Sequence, residues 1–213
     1  MLQFNVLGFP VQVQWFFWLI TIVMGGGLDA RSREDWIEVA LWVFVVFISI
    51  LIHEIGHALA ARRYGNDSYI VLHGFGGWTI IPNARLSRDQ DIWVSFAGPL
   101  ASFLLGGLAY ALGKLVHTEY PGFYTFISMM IFVNIFWTFV NLLPVLPLDG
   151  GQIFRGLMGP SRLPVTCVIG GVVAILVALF AIKIQSMYLA VLFGYFAWIN
   201  FSNGTTEGGV MKR

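Results

Sequence analysis

The chain has 213 residues, 58% of them hydrophobic and only 11% charged, with a formal net charge of +1. A soluble domain carries about 25% charged residues, so this is the composition of an integral membrane protein, and the near-zero net charge excludes the basic footprint of a nucleic-acid binder. A single cysteine, Cys167 in an apolar segment, excludes an internal disulfide and a cysteine-based metal site.

In chain order, residues 1–10 form a short apolar lead-in where Gly8 and Pro10 argue against helix. No basic region or small-residue cleavage site flags a signal peptide, so the first apolar segment is expected to stay in the mature protein. Span one covers about 11–24 and stops at Gly25-Gly26-Gly27; it is short, and is expected to recruit the lead-in or to tilt. A charged loop over 29–38 leads into span two, about 36–64. Residues 66–82 are rich in β-branched and aromatic residues around a glycine cluster, which predicts a hairpin turning near Gly74–Gly77. Open sheet edges are not tolerated against lipid, so the hairpin belongs at the surface or against protein lining a cavity.

Span three, about 91–113, contains Ala97-Gly98-Pro99 and Gly106-Gly107, small residues that permit close helix contact. Span four, about 123–142, holds Asn134 and Asn141 and runs into Leu142-Leu-Pro-Val-Leu-Pro-Leu-Asp-Gly-Gly151, whose two prolines cannot continue a regular helix. A short helical piece over 152–158 precedes spans five (about 163–182) and six (about 187–201), an ordinary helical pair, and the last twelve residues read as a loose tail.

Charge bias orients the spans. If Arg62, Arg63, Arg85, Arg88, Arg155, Arg162, Lys212 and Arg213 share one side, as six spans would have it, the other keeps Arg31, Arg33, Lys114 and Lys183. The positive-inside rule puts the first group, and with six spans both termini, in the cytoplasm.

The chemistry centres on His53-Glu54-Ile-Gly-His57 within span two. Positions i and i+4 share a helix face, so both imidazoles can bind one metal, with Glu54 beside it as a proton carrier. A bundle helix with bonded polar residues is the bland alternative, but intramembrane ionisable groups are costly to bury and point to function. His53 lies nine residues before Arg62, about 14 Å along a helix, which puts the metal inside the hydrocarbon layer near the cytoplasmic side. A catalytic zinc usually has three protein ligands plus water. Most other acids, Glu119 and Glu207 among them, lie at span ends, in loops or in the tail; Asp149 alone follows an apolar helix end, and spans two and four bring their second halves to the same leaflet. Asp149 can thus meet His53 and His57, or cap the helix starting near Gly150, and the two uses are compatible.

His53-Glu-Ile-Gly-His57, the Gly-Phe-Gly-Gly77 hairpin, Ala97-Gly-Pro99 and Asn141-Leu-Leu-Pro…Pro-Leu-Asp-Gly-Gly151 together resemble the site-2 protease family of intramembrane zinc metalloproteases, over roughly 36–155. The resemblance implies one Zn2+ per chain held by His53, His57 and Asp149, with Glu54 as catalytic acid/base and Asn141 assisting substrate or oxyanion binding. It also implies a hairpin able to pair with an unwound substrate. Unlike larger members, the chain shows no inserted periplasmic domain and no nucleotide-sensing domain, and resembles a minimal form. His73, in the hairpin, is read as structural or substrate-facing, with an auxiliary ligand as the alternative; Asn134, on the face of Asn141, suits an interhelical hydrogen bond or a catalytic role. Trp15, Trp18, Trp36, Trp42 and Trp198 read as interface anchors or packing.

The resulting expectation is an all-α polytopic membrane protein with about six transmembrane helices and a small β hairpin between spans two and three. It forms one integral-membrane protease domain over 1–213, with a catalytic core at about 36–155 and an accessory helical pair at about 163–203. Expected partners are the bilayer, a single-span membrane-protein substrate and a possible upstream protease, with no nucleic acid; the expected site is the cell membrane. The alternatives are a membrane metal-binding or transport protein and an inactive scaffold using the same His/His/Asp site.

Overall fold

The computed structural model describes residues 1–118 and 120–205; Glu119, Glu207, the expected tail beyond Thr205, and the Lys212 and Arg213 of the charge count lie outside the described residues. The elements are β1 (Leu2–Val6), β2 (Phe9–Val13), α1 (Trp15–Met24), α2 (Arg33–Arg63), β3 (Tyr69–His73), β4 (Gly76–Ile80), α3 (Arg88–Leu115), α4 (Pro121–Asn141), α5 (Asp149–Met158), α6 (Leu163–Lys183) and α7 (Met187–Thr205), with a 3-10 turn at Pro160–Arg162. Among the described residues, four helical stretches are long and apolar enough to cross a membrane: Arg33–Arg63, Arg88–Leu115, Gly122–Asn141 and Pro160–Lys183. Helix α1 has only 10 residues, and α7 is not among the four.

The lead-in corrects one expectation. It does not extend span one but forms its own hairpin, β1 pairing antiparallel with β2. The two-residue turn Leu7-Gly8 has φ of 51° and 84°, the positive values that match the right-handed twist of flanking strands. The one hairpin expected from the sequence is present as β3 and β4, closed by the His73–Gly76 pair. It is not isolated: β2 pairs parallel with β3, giving one four-stranded sheet in the order β1-β2-β3-β4.

The chain forms two compact units, Met1–Arg85 with Ala97–Thr138, and Leu86–Phe96 with Phe139–Arg213. In the first, Phe9, Val11 and Val13 alternate inward from β2 and join Ile70 and Leu72 of β3, Phe17 of α1 and Val45, Val46 and Leu51 of α2. Helix α2 starts from a capping box: Ser32 Oγ accepts from Asp35 N–H at 3.1 Å, and the Asp35 carboxylate accepts from Ser32 N–H at 2.9 Å. Glu34 and Asp35 in its first turn and Arg62 and Arg63 in its last complement the helix dipole. Glycines set helix spacing: a Cβ on Gly56 would come within 2.5 Å of Ala97 O, and one on Gly106 within 2.9 Å of Ile135 Cδ1. The sequence expectation of close contact through the small residues of span three holds at Ala97 and at Gly106.

In the second unit α6 and α7 pack over Val145, Ala174, Phe193 and Ala197. The Arg88 guanidinium donates to the carbonyls of Gly156 and Leu157, tying off the end of α5, and Arg155 lies 3.7 Å from Asp91. Between α4 and α5 the segment containing both prolines runs as tight turns, with Val145 N–H on Leu143 O, Leu148 N–H on Val145 O, and a cis Leu146–Pro147 bond.

Candidate metal centre

Helix α2 turns His53 and His57 to one face, as their spacing requires, and both are buried. Their Nε2 atoms approach to 3.2 Å, with ring planes 80° apart. Two nitrogens at normal Zn–N distances on a tetrahedral zinc stand about 3.3 Å apart, so the pair already describes one edge of such a site. His53 Nδ1 is 3.0 Å from Ser102 Oγ on α3. With Nδ1–H donating to that hydroxyl, the Nε2 lone pair is aimed at the metal position, the usual orienting arrangement for a ligand histidine.

Space beside the imidazoles is kept by Gly98 of α3. A Cβ there would overlap His57 Nε2 and come within 2.8 Å of His53 Nε2. The motif Ala97-Gly98-Pro99 thus acquires a local reason: any side chain at its centre would fill the cradle in front of the two nitrogens. Soft-to-borderline imidazole donors with room before them fit zinc. Gly98→Ala is expected to weaken zinc binding by about 10–100-fold, a loss comparable with disrupting a ligand's support, measured by chelator competition on the folded variant. Unchanged affinity would show that the space is not used.

Glu54, 4% exposed, leaves α2 toward the sheet. Thr79 Oγ1 of β4 lies 2.7 Å from Glu54 Oε2 and 2.9 Å from the Glu54 carbonyl, so its hydroxyl proton is shared between the two. Gly77, two residues earlier on the same face of β4, lets the strand close on the carboxylate: a Cβ there would reach 2.6 Å from Oε1. The glycine cluster therefore serves the glutamate as well as the turn.

His73 is excluded from this cluster by strand alternation. Gly77 and Thr79 pair with Leu72 and Ile70 on the face toward Glu54, whereas His73 and Trp78 occupy the opposite face. There the His73 ring lies with its centroid 4.1 Å from that of Trp78, the planes tilted by 54°, and Nδ1 accepts from Phe75 N–H; burial pushes the imidazole pKa below its ordinary value. This supports the structural reading of His73. Asn134, 1% exposed, donates to Ser49 Oγ at 2.8 Å and to Met130 O at 2.8 Å. It therefore makes the interhelical bond, to a serine one turn before His53 on the same face.

The other two expected site residues belong to the second unit. Asn141 is the last residue of α4 and is half-buried. Asp149 is the first residue of α5, with Leu148, not Asp149, in the cap position. The glycines after it are needed for packing: a Cβ on Gly150 would overlap the Leu142 carbonyl, and one on Gly151 would come within 2.5 Å of Val145 O. Thr79 and Ser102 were missed in the sequence. Each is a lone hydroxyl in an apolar stretch, the one signal available, since a buried carboxylate and a ligand histidine both need polar partners.

Comparison with known proteins identifies the family and the fold. The profile of peptidase family M50 matches residues 41–120 and 116–182, more than half of the chain. A zinc metalloprotease of Methanocaldococcus jannaschii is 25% identical over 201 residues, covering 91% of this chain and 58% of that protein. Stage IV sporulation protein FB of Bacillus subtilis is 31% identical over 147 residues, covering 67% of this chain and 46% of that protein; the chain spans about half the length of the relatives it matches. Its fold is similar to the solved structure of a site-2 protease from Methanocaldococcus jannaschii, with a TM-score of 0.66 at 23% identity, over 96% of this chain and 95% of that one. With four apolar helices of membrane-crossing length, this membrane protein belongs to peptidase family M50, the site-2 protease family.

Proposed function

We propose that the chain is an intramembrane zinc metalloprotease that hydrolyses a peptide bond within or near the transmembrane segment of a membrane-protein substrate. The observation that carries this reading is the convergence of His53 and His57 Nε2 at 3.2 Å beside a buried glutamate, in a helix long and apolar enough to cross a membrane. Asp149 supplies the third ligand. In its support, a catalytic zinc site takes three protein donors, and the two family-model matches, over 41–120 and 116–182, contain His53 and His57 in the first and Asp149 in the second.

When bound, zinc supplies the Lewis acidity that polarises the scissile carbonyl and makes water nucleophilic near neutral pH. The chain's own residues move and hold the protons. Glu54 takes a proton on Oε1 and returns it to the leaving amide nitrogen, while the Thr79 hydroxyl holds Oε2 and fixes the plane of the carboxylate. Ser102 keeps His53 in one tautomer. Asn141 offers an amide donor to substrate or to the developing oxyanion. A helical substrate hides its peptide bonds, and β4, an outer strand of the sheet, can take up an unwound segment as an added strand.

The same reading places the whole chain in the cell membrane as one protease domain of six spans, with both termini cytoplasmic by charge bias. Its substrate is a single-span membrane protein, trimmed first by another protease. The test pairs zinc content with cutting of a reporter transmembrane peptide by the purified chain in detergent. About one zinc per chain with cutting supports the protease; zinc without any cutting of membrane peptides moves the function to metal binding or transport.

Thr79→Val gives a finer check. It removes the bond to Glu54 while preserving shape, so kcat is expected to fall about tenfold or more, the value of a hydrogen bond to a charged group, with zinc content unchanged. Thr79→Ser should restore the rate. Equal rates for the valine and serine variants would remove Thr79 from the mechanism.

A further inference from the structure

Helices α6 and α7 have no motif, and their obvious role is packing. A buried amide in α7 breaks that pattern. Asn200 of α7 is 0% exposed, and its amide engages both backbone groups of Leu146: Nδ2 donates to Leu146 O at 2.7 Å, and Oδ1 accepts from Leu146 N–H at 3.3 Å. Nδ2 also donates to Phe196 O within α7, at 2.7 Å. Leu146 belongs to the strap of tight turns between α4 and α5, three residues before Asp149.

A polar side chain in an apolar helix pair is costly unless its bonds are made. Here they are spent on a segment that no helix or sheet ladder supports. Helix α6 is shaped for the same contact. A Cβ on Gly170 would overlap Asn200 Oδ1 and come within 2.9 Å of Pro144 O, so glycine leaves room for the amide and the strap together. Below the clamp, Leu148 N–H is held by Val145 O at 2.8 Å, and Gln152 N–H by Leu148 O at 3.1 Å. The first turn of α5, and Asp149 with it, is thus built directly on the strap that Asn200 grips.

We propose that Asn200 is a positioning residue for the metal centre, fixing Asp149 through the Leu146–Leu148 strap, so that the accessory helices α6 and α7 set the zinc affinity. The inference rests on the assignment of Asp149 as a ligand. Supporting residues that orient ligands typically change metal affinity by about 10–100-fold when removed.

The test measures zinc affinity by chelator competition, and thermal stability, on the full chain in detergent. Asn200→Asp keeps an acceptor for Leu146 N–H but loses the donor to Leu146 O; Gly170→Ala leaves Asn200 intact and displaces it. Leu189→Ala is the control, since Leu189 packs in the same α6–α7 core eleven residues before Asn200. Both site variants are expected to lose about 10–100-fold in zinc affinity, with the control near wild type after an equal or greater loss of Tm. Should Asn200→Asp not fold, Gly170→Ala decides alone. Zinc affinity that falls no further than in Leu189→Ala overturns the proposal. An Asp149→Ala chain that binds zinc as wild type does overturns the ligand assignment instead, and the inference falls with it.

Discussion

Glu54→Gln is expected to keep about one zinc per chain and to lose peptide cleavage by about 10²–10⁴-fold, the usual contribution of a positioned general acid–base. Glutamine has the same shape, so the Thr79 hydroxyl keeps a carbonyl oxygen to bond, and Gly77 still clears the side chain. What disappears is basicity. An amide cannot take the proton of the attacking water or return it to the leaving nitrogen. The imidazoles are untouched, because His53 is oriented by Ser102 and not by the glutamate. Burial adds a third expectation: Glu54 is 4% exposed, and a neutral amide costs less to desolvate than a carboxylate, so Tm should not fall. Zinc content, single-turnover cleavage and Tm on one preparation check all three. Cleavage at the wild-type rate would remove Glu54 from the chemistry, and loss of zinc would make it a ligand.

Much of this was legible in the sequence because it is local. The spacing of His53, Glu54 and His57 fixes their directions as soon as the segment is helical, and apolar length made it a span. The β3–β4 turn could be placed from its glycines for the same reason. The first hairpin was missed although Leu-Gln-Phe-Asn-Val and Phe-Pro-Val-Gln-Val alternate cleanly. Its turn puts a leucine at positive φ, not one of the familiar asparagine- or glycine-led pairs, and Pro10 within the second strand argues against a strand at all. Thr79, Ser102 and Asn200 were illegible for another reason. Each acts on a residue 25, 49 or 54 positions away, and such register is set by packing and not by any pattern along the chain. Gly98 lies between: small residues announced close helix approach, but only the approach itself shows that the space kept is the space before two imidazole nitrogens.

Asp149→Ala is expected to weaken zinc binding by more than about 100-fold, beyond the loss from disrupting a supporting residue, and to abolish cleavage with it. Two imidazoles alone leave a site short of the three protein donors that catalytic zinc takes. The competing account gives Asp149 a purely helical job. It is the acidic residue in the first turn of α5, where a negative charge favours the helix dipole by about 0.3–1 kcal/mol. Magnitude separates the two. A helical role predicts a small loss of stability and zinc affinity within a few-fold of wild type; ligation predicts a loss of zinc far larger than any change in folding. Asp149→Asn sharpens the contrast, because asparagine keeps the shape at the start of α5 but lacks the anionic oxygen. If ligation holds, it should resemble alanine in zinc affinity and wild type in Tm measured without metal. An asparagine variant that binds zinc normally would move the third ligand elsewhere and leave Asp149 as a helix residue.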